Sequence, residues 1–323
     1  MNKIAVLTSG GDSPGMNAAI RAVVRTAVYN DIDVHGIYRG YQGLIEGDIK
    51  KLDERSVAKI LGRGGTILKS ARCDEFRSKE GRDKAHAVLE ENGIEALVVI
   101  GGNGTFAGAM KLGEEFNYPV IGVPGTIDND LAGTDYTIGY DTALNTVVEA
   151  VDKIRDTADS HNRLFFVEVM GRDSGFIALN TGIATGAVAV MSPETKLSAE
   201  DLISVLETGH QRKKSSSIVI VAEGNENGGA YEIASRVKEI NDKYDIRITV
   251  LGHIQRGGSP SCMDRVLAAK LGVAAIESLQ SGERGCMVGL INDKLVHTPF
   301  EKAVSNKTNS LKDEVKIARI LSI

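Results

Sequence analysis

The chain has 323 residues, 42% of them hydrophobic and 25% charged, which is the make-up of an ordinary globular protein with length enough for two domains. Its 38 basic and 43 acidic residues leave a formal charge of −5, which argues against a nucleic-acid binder. No run approaches the ~18 apolar residues of a membrane span, and the three cysteines, Cys73, Cys262 and Cys286, show no CxxC spacing and point to a reducing compartment without a disulfide framework.

The first segment, Met1–Leu7, reads as a strand and lacks the apolar core and cleavage site of a leader, so a cytoplasmic location is expected. One pattern then recurs along the chain. A short apolar run leads into a glycine-rich or polar loop and then into a helical stretch. Ile4–Leu7 leads to Thr8-Ser9-Gly10-Gly11-Asp12 and a helix from about Met16 to Val28. Ala96–Ile100 leads to Gly101-Gly102-Asn103-Gly104-Thr105, and Val120–Val123 leads to Pro124-Gly125-Thr126-Ile127-Asp128-Asn129-Asp130. A helix begins near Asp141, with Leu144, Val147, Val148, Val151 and Ile154 on one face. Further runs at Leu164–Val169, Ile218–Ala222 and Ile248–Leu251 end on Met170-Gly171-Arg172, Glu223-Gly224 and Gly252-His253-Ile254-Gln255-Arg256-Gly257-Gly258. An amphipathic helix over Lys312 to Ile320 closes the chain. Continuous apolar runs alternating with helices predict an α/β fold: doubly wound, three-layer domains with mostly parallel sheets.

In such sheets ligands bind outside the carboxyl ends of strands. The two glycine loops read as phosphate loops, because missing side chains let backbone N–H groups and the next helix start approach anionic oxygens. Plain strand–helix turns would use the same residues. Neither loop is a Walker A or a GxGxxG dinucleotide fingerprint, which speaks against a dinucleotide-dependent oxidoreductase. Asp128 and Asp130 follow a strand two residues apart, as a proton acceptor and a magnesium carboxylate would, or as an Asx-turn network would. Arg72, Arg163, Arg172, Arg247 and Arg256 lie in or beside these loops, and guanidinium groups suit phosphate oxygens. Glu223 could accept hydrogen bonds from sugar hydroxyls or merely cap its turn.

Five segments in order resemble the bacterial ATP-dependent 6-phosphofructokinases over essentially the full chain: Leu7–Asn17, Arg63-Gly64-Gly65-Thr66, Pro124–Asp130, Met170-Gly171-Arg172 and Gly252–Pro260. The resemblance implies two such domains, a larger ATP-binding one over 1–140 plus about 253–303, and a smaller sugar-phosphate-binding one over 141–252 plus about 304–323. It implies ATP contacts at Gly11, Tyr41, Arg72, Cys73, Gly102, Asn103, Gly104 and Thr105. Asp128 would be the base toward the sugar C1 hydroxyl, Thr126 would position the transferring phosphoryl group, Asp130 would support magnesium or the base, and Arg72 and Arg172 would stabilise charge. Ile127, Met170, Gly171 and Glu223 would contact the sugar. His253 and Arg256 would reach its 6-phosphate from the same subunit, and Arg163 and Arg247 from a neighbouring one, in a homotetramer. Gly104 and Gly125 match the ATP-using branch; pyrophosphate-using relatives usually carry Asp and Lys there.

Two departures stand out. Asn103 replaces the family's magnesium-site Asp, so weakened metal–ATP binding is expected, with a catalytically weakened partner subunit as the alternative function. The family's basic effector cluster for ADP or phosphoenolpyruvate is matched or conservatively replaced at Arg21, Arg25, Arg155, Arg212 and Lys214, beside Gly186. However, Glu54, Lys59, Val188, Ser215 and Ser216 differ from the family pattern, Arg55 compensates at best in part, and a weak or absent effector response is expected.

Overall fold

The structure is a computed structural model that describes residues 1–159, 163–211, 217–305 and 311–322. It divides into two compact units, Met1–Thr142 with Arg256–Asn306, and Ala143–Gln255 with Lys307–Ile323.

The first unit begins with β1 (Lys3–Thr8), α1 (Met16–Tyr29), β2 (Asp33–Ile37), α2 (Gly40–Glu46) and β3 (Ile49–Leu52). It continues with α3 (Lys79–Glu91), β4 (Ala96–Gly101), α4 (Asn103–Phe116) and β5 (Val120–Pro124), and α5 (Tyr140–Asp159) then carries the chain into the second unit. That unit holds β6 (Leu164–Val169), α6 (Phe176–Thr185), β7 (Ala189–Met191), α7 (Ala199–Gln211), β8 (Ser217–Ala222), α8 (Ala230–Ile240) and β9 (Ile246–Val250). The chain returns to the first unit for α9 (Cys262–Gln280), β10 (Cys286–Ile291), β11 (Lys294–Pro299) and the single turn α10 (Phe300–Ala303), and α11 (Lys312–Leu321) belongs to the second.

The first sheet has the order β11-β10-β5-β4-β1-β2-β3, parallel except where β3 pairs with β2 and β11 with β10. Strand alternation splits its side chains between two cores. Ile4 and Val6 of β1 pack with Ile20 and Val23 of α1 and with Leu267 and Leu271 of α9. Ala5 and Leu7 pack on the other face with Leu89 of α3, Phe106 and Leu112 of α4, and Phe300. That is a helix layer on each face of one sheet. Close packing of α1 on α9 needs Gly272, where a Cβ would lie 2.5 Å from that of Ala22.

The second sheet, β7-β8-β6-β9, is wholly parallel. Leu164, Phe166, Val219 and Val221 face Leu202 and Leu206 of α7 and Ile233 and Val237 of α8. Six strands expected from apolar runs are present. β9 ends at Val250, one residue before the expected Leu251, because a 3₁₀ turn over Gly252–Arg256 takes up the chain.

Candidate active site

In the first unit, β5, β4 and β1 are neighbours, and their carboxyl ends carry three loops that the sequence singles out. The backbone ties the loops together: Ser9 N–H donates to Ile100 O (3.1 Å) and Gly125 N–H to Gly101 O (2.9 Å). Thr105 Oγ1 donates to Ser9 O at 3.0 Å, joining the start of α4 to the β1 loop. Gly101 must be glycine at this crossing, since a Cβ would stand 2.3 Å from Thr105 Oγ1 and 2.5 Å from Ser9 O. Gly104, by contrast, faces open space. The first turn of α4 therefore presents its N–H groups beside two glycine-rich loops, the geometry that favours an anionic ligand.

Asp128 is buried on the β5 loop. Its N–H donates to Thr126 Oγ1 (3.2 Å), and that hydroxyl donates to Asp128 Oδ2 (3.3 Å). The loop is braced from behind. Asn129, in the left-handed region at φ 50°, accepts from Thr137 N–H (3.0 Å) and donates to Asp135 O (3.1 Å), while Thr137 Oγ1 donates to Thr126 O (2.6 Å). The network of loop hydrogen bonds that the sequence offers as an alternative to chemistry is thus present, carried by Asn129 and Thr137, with Asp128 joined to the loop through Thr126. Asn103 Nδ2 donates to Asp130 Oδ2 at 2.6 Å. That contact fixes the amide's orientation, because only the NH₂ can meet a carboxylate, and the Asn103 Oδ1 left over is buried without a hydrogen-bond donor. Among the described residues no group of three or more His, Cys, Asp or Glu side chains is placed to hold a metal.

Tyr41 is buried, with its hydroxyl donating to Thr105 O (2.6 Å) and its ring stacked on Phe76 at 3.9 Å. Burial pushes that hydroxyl above its ordinary range, so it stays a donor. Phe76, which the sequence reading does not single out, belongs to the same loop as exposed Arg72 and half-buried Cys73. Burial likewise raises the Cys73 thiol. A clamp anchors this loop: the Arg82 guanidinium donates to both Glu115 oxygens at 2.7 Å and to the carbonyls of Phe76 and Arg77. Asn17 does the same for Arg63-Gly64-Gly65-Thr66, donating to Arg63 O and Gly64 O and accepting from Ile67 N–H. Arg256, grouped with His253 by the sequence, lies against the β1 loop instead. Its Nη1 donates to Asp12 O (3.2 Å), and a Cβ on Gly11 would meet it at 2.5 Å.

In the second unit, Met170-Gly171-Arg172 follows β6. Glu223, at the end of neighbouring β8, accepts from the N–H groups of Gly171 (3.1 Å) and Arg172 (2.8 Å). This holds Arg172 in the left-handed region at φ 53°, a conformation that costs a non-glycine residue energy. Gly224 permits the approach, since a Cβ would lie 1.8 Å from Arg172 O. Fully buried Gln255 accepts from Met170 N–H (3.2 Å) and donates to Gly252 O (2.9 Å), and His253 of the same turn is exposed.

Arg163 and Arg247 are elsewhere. They lie at the amino ends of β6 and β9, so the six-residue length of β6, about 20 Å at ~3.3 Å per residue, separates Arg163 from Met170. The expectation that every phosphate-type arginine sits by a carboxyl-end loop fails for these two. Of the effector-type residues, Arg21 and Arg25 lie one turn apart on α1. Arg155 donates to Thr185 O beside Gly186, which closes α6 in the left-handed region at φ 61°. Val188 is buried in the apolar core, while Glu54 and Lys59 are exposed. Arg212, Lys214, Ser215 and Ser216 lie outside the described residues.

Glycine loops, a helix start and a buried carboxylate at the carboxyl ends of adjacent parallel strands define an α/β kinase frame. The chain belongs to the phosphofructokinase family, whose model matches residues 3–279. It is 55% identical over 320 residues to the ATP-dependent 6-phosphofructokinase 2 of Bacteroides thetaiotaomicron, covering 99% of this chain and 98% of that protein. It is 53% identical over 323 residues to the ATP-dependent 6-phosphofructokinase 1 of Thermus thermophilus, covering 100% of both. Among solved structures, phosphofructokinase from Pichia pastoris in the T-state matches at a TM-score of 0.90 and 38% identity, over 98% of this chain and 36% of that longer one. A pyrophosphate-dependent phosphofructokinase from Marinobacter aquaeolei shares the fold, with a TM-score of 0.85 at 20% identity over 99% of this chain and 91% of that one. Among the described residues no helix is long and apolar enough to cross a membrane.

Proposed function

We propose that this chain transfers the γ-phosphoryl group of ATP to the 1-hydroxyl of fructose 6-phosphate, giving fructose 1,6-bisphosphate and ADP in the cytoplasm. The observation that carries this is the seating of Asp128. A buried carboxylate, held by Thr126, stands on the loop after β5, in line with the glycine loops that follow β4 and β1, where a general base for an attacking hydroxyl is required.

The first unit would hold the nucleotide. Gly11 and Gly102 to Thr105 would cradle the phosphates, with Tyr41, Phe76, Arg72 and Cys73 forming the wall beside them. The open space at Gly104 supports ATP rather than pyrophosphate as donor. The second unit would hold the sugar, through Met170, Gly171, Glu223 and His253, and Arg172, whose backbone N–H donates to Glu223, would stabilise charge during transfer. Thr126 and Ile127 would complete the contact with the acceptor. Arg256 bridges roles: its guanidinium, now on Asp12 O, would turn to substrate phosphate.

Magnesium fits the residues present. The orphaned Asn103 Oδ1 and the Asp130 carboxylate are hard oxygen donors, and magnesium binds through one or two protein oxygens plus phosphates and water. When bound, it neutralises charge on the nucleotide phosphates. With one carboxylate instead of two, the affinity for the metal–nucleotide complex is expected to be modest. The position of Arg163 and Arg247 at the far end of β6 supports a site completed by a second copy of the chain, within a homotetramer. Val188 in the core and exposed Glu54 support a weak response to ADP or phosphoenolpyruvate, whose phosphates would otherwise meet Arg21, Arg25, Arg155, Arg212 and Lys214 beside Gly186.

The test is formation of fructose 1,6-bisphosphate by the purified chain, with ATP and magnesium titrated separately. Activity is expected, and Asp128→Asn should lower kcat by about 10² to 10⁴ while leaving ATP binding in place. ATP hydrolysis without sugar phosphorylation, or full turnover in Asp128→Asn, would overturn the assignment.

A further inference from the structure

Parallel pairing sets Leu164 of β6 beside Ile246 and Phe165 beside Arg247, so Arg163 enters the sheet level with Asp245. Asp245 and Arg247, two residues apart at the start of an edge strand, project from one face. One carboxylate takes both guanidinium groups. Arg163 Nε donates to Asp245 Oδ2 at 2.9 Å, and Arg247 Nη1 reaches Oδ1 at 2.5 Å. Two guanidiniums on the two oxygens of a single anion is the arrangement a phosphate would occupy.

We propose that Asp245 is a stand-in anion, which keeps Arg163 and Arg247 paired while no phosphate ester is bound and yields them to the 6-phosphate of the sugar substrate, so that it sets substrate affinity without touching the reacting atoms. This rests on the assignment of Arg163 and Arg247 as phosphate contacts made above. Three physical points carry it. The Asp245 side chain is 47% exposed and that of Arg247 equally so, and exposed ion pairs are weak, so the exchange costs little. A phosphate monoester carries about −1.5 to −2 at neutral pH against −1 for the carboxylate, so it wins the competition. The two arginines hold the Asp245 carboxyl below its ordinary value, so the stand-in is charged throughout the neutral range.

Asp245→Asn keeps the shape and removes the charge. The KM for fructose 6-phosphate should fall by about 3- to 10-fold at low salt, and the gain should shrink as salt is raised. The KM for ATP should not move. Asp245→Ser should shift the KM in the same direction, and thermal midpoints of both variants should stay near that of the parent chain. A higher KM for the sugar phosphate would make Asp245 an orienting strut, and an unchanged KM would make the ion pair incidental; either result overturns the proposal. Arg163→Ala and Arg247→Ala, assayed alongside, should each raise that KM by about tenfold or more. If neither does, the phosphate assignment itself fails, a result separable from failure at Asp245.

Discussion

At Asn103 a single substitution within a family pattern changes the bonding of a whole corner. An aspartate there would face Asp130 across the 2.6 Å contact that the amide now makes. Two carboxylates at that range cannot both ionise freely without a cation between them. Asn103→Asp should therefore lower the melting midpoint in chelator, at a cost of about 1 to 2 kcal/mol, and magnesium should restore it. The parent chain should be nearly insensitive to the same treatment, and magnesium should bind the variant's nucleotide complex more tightly. A variant that melts like the parent in chelator would mean that the contact does not govern this corner. Asn103 is legible in the sequence as a departure, and so is the loss of charge. Its hydrogen bond to Asp130 is not, because the two residues belong to different strand–loop units that only the β4–β5 pairing brings together. Phe76 is illegible for a related reason: an aromatic in a loop has no pattern around it until Tyr41 stacks on it.

At the scale of elements, α5 shows what local pattern can and cannot specify. Its apolar face, with Val147 and Val151 buried, follows from helical spacing alone. Asp141 reads as the N-cap, yet the helix begins at Tyr140 and is capped from another element. Asp264, in the first turn of α9, accepts from Gly139 N–H (2.7 Å) on Oδ1, and from Thr142 N–H (2.8 Å) and Oγ1 (2.5 Å) on Oδ2. Asp141 instead accepts from Ser261 Oγ, which caps α9. Each Asp264 oxygen faces a backbone donor, so either orientation of an amide sets NH₂ against N–H. Asp264→Asn should cost about 2 to 3 kcal/mol, read as a lower denaturant midpoint at unchanged slope. Burial raises the Asp264 pKa above its ordinary 3.8. Its titration therefore favours the folded state in acid, fully below the unfolded value, and that contribution is lost as pH rises through the folded value. Asp264→Asn should flatten that part of the stability profile. A cap recruited from more than a hundred residues away leaves no trace in the helix's own sequence. The edge strands β3 and β11 are hard to read for a milder reason: they lack the continuous apolar run that marks strands buried on both faces, while β7, which ends the apolar stretch Ala187–Met191, is only three residues long.

At the scale of the whole molecule, the alternation of strand, loop and helix suffices to give the class of fold, because β1, β4, β5, β6 and β8 announce themselves as apolar runs, even though β2, broken by His35 and Gly36, does not. The return of the chain from the second unit to the first at Arg256 is harder, since no composition change marks it. Chain order tells which end of its strand an arginine occupies, but no local signal tells which of the two ends meets a ligand. Arg172 follows the carboxyl end of β6 and Arg163 precedes its amino end, though both look alike in sequence as basic residues flanking the same apolar run.

That polarity of β6 has a genetic consequence. If each copy lends its Arg163 to a neighbour's site and keeps its own Asp128 for itself, then damage at the two residues is separable between chains. Arg163→Ala copies, poor at low fructose 6-phosphate, and Asp128→Asn copies, poor at any concentration, should rescue one another when unfolded and refolded as a mixture. Some sites in the hybrids would join an intact base from the first kind of chain to an intact arginine from the second. Activity of the mixture above the sum of its separately refolded parts would mark the catalytic unit as a property of the assembly, and two recessive alleles of one gene would then complement.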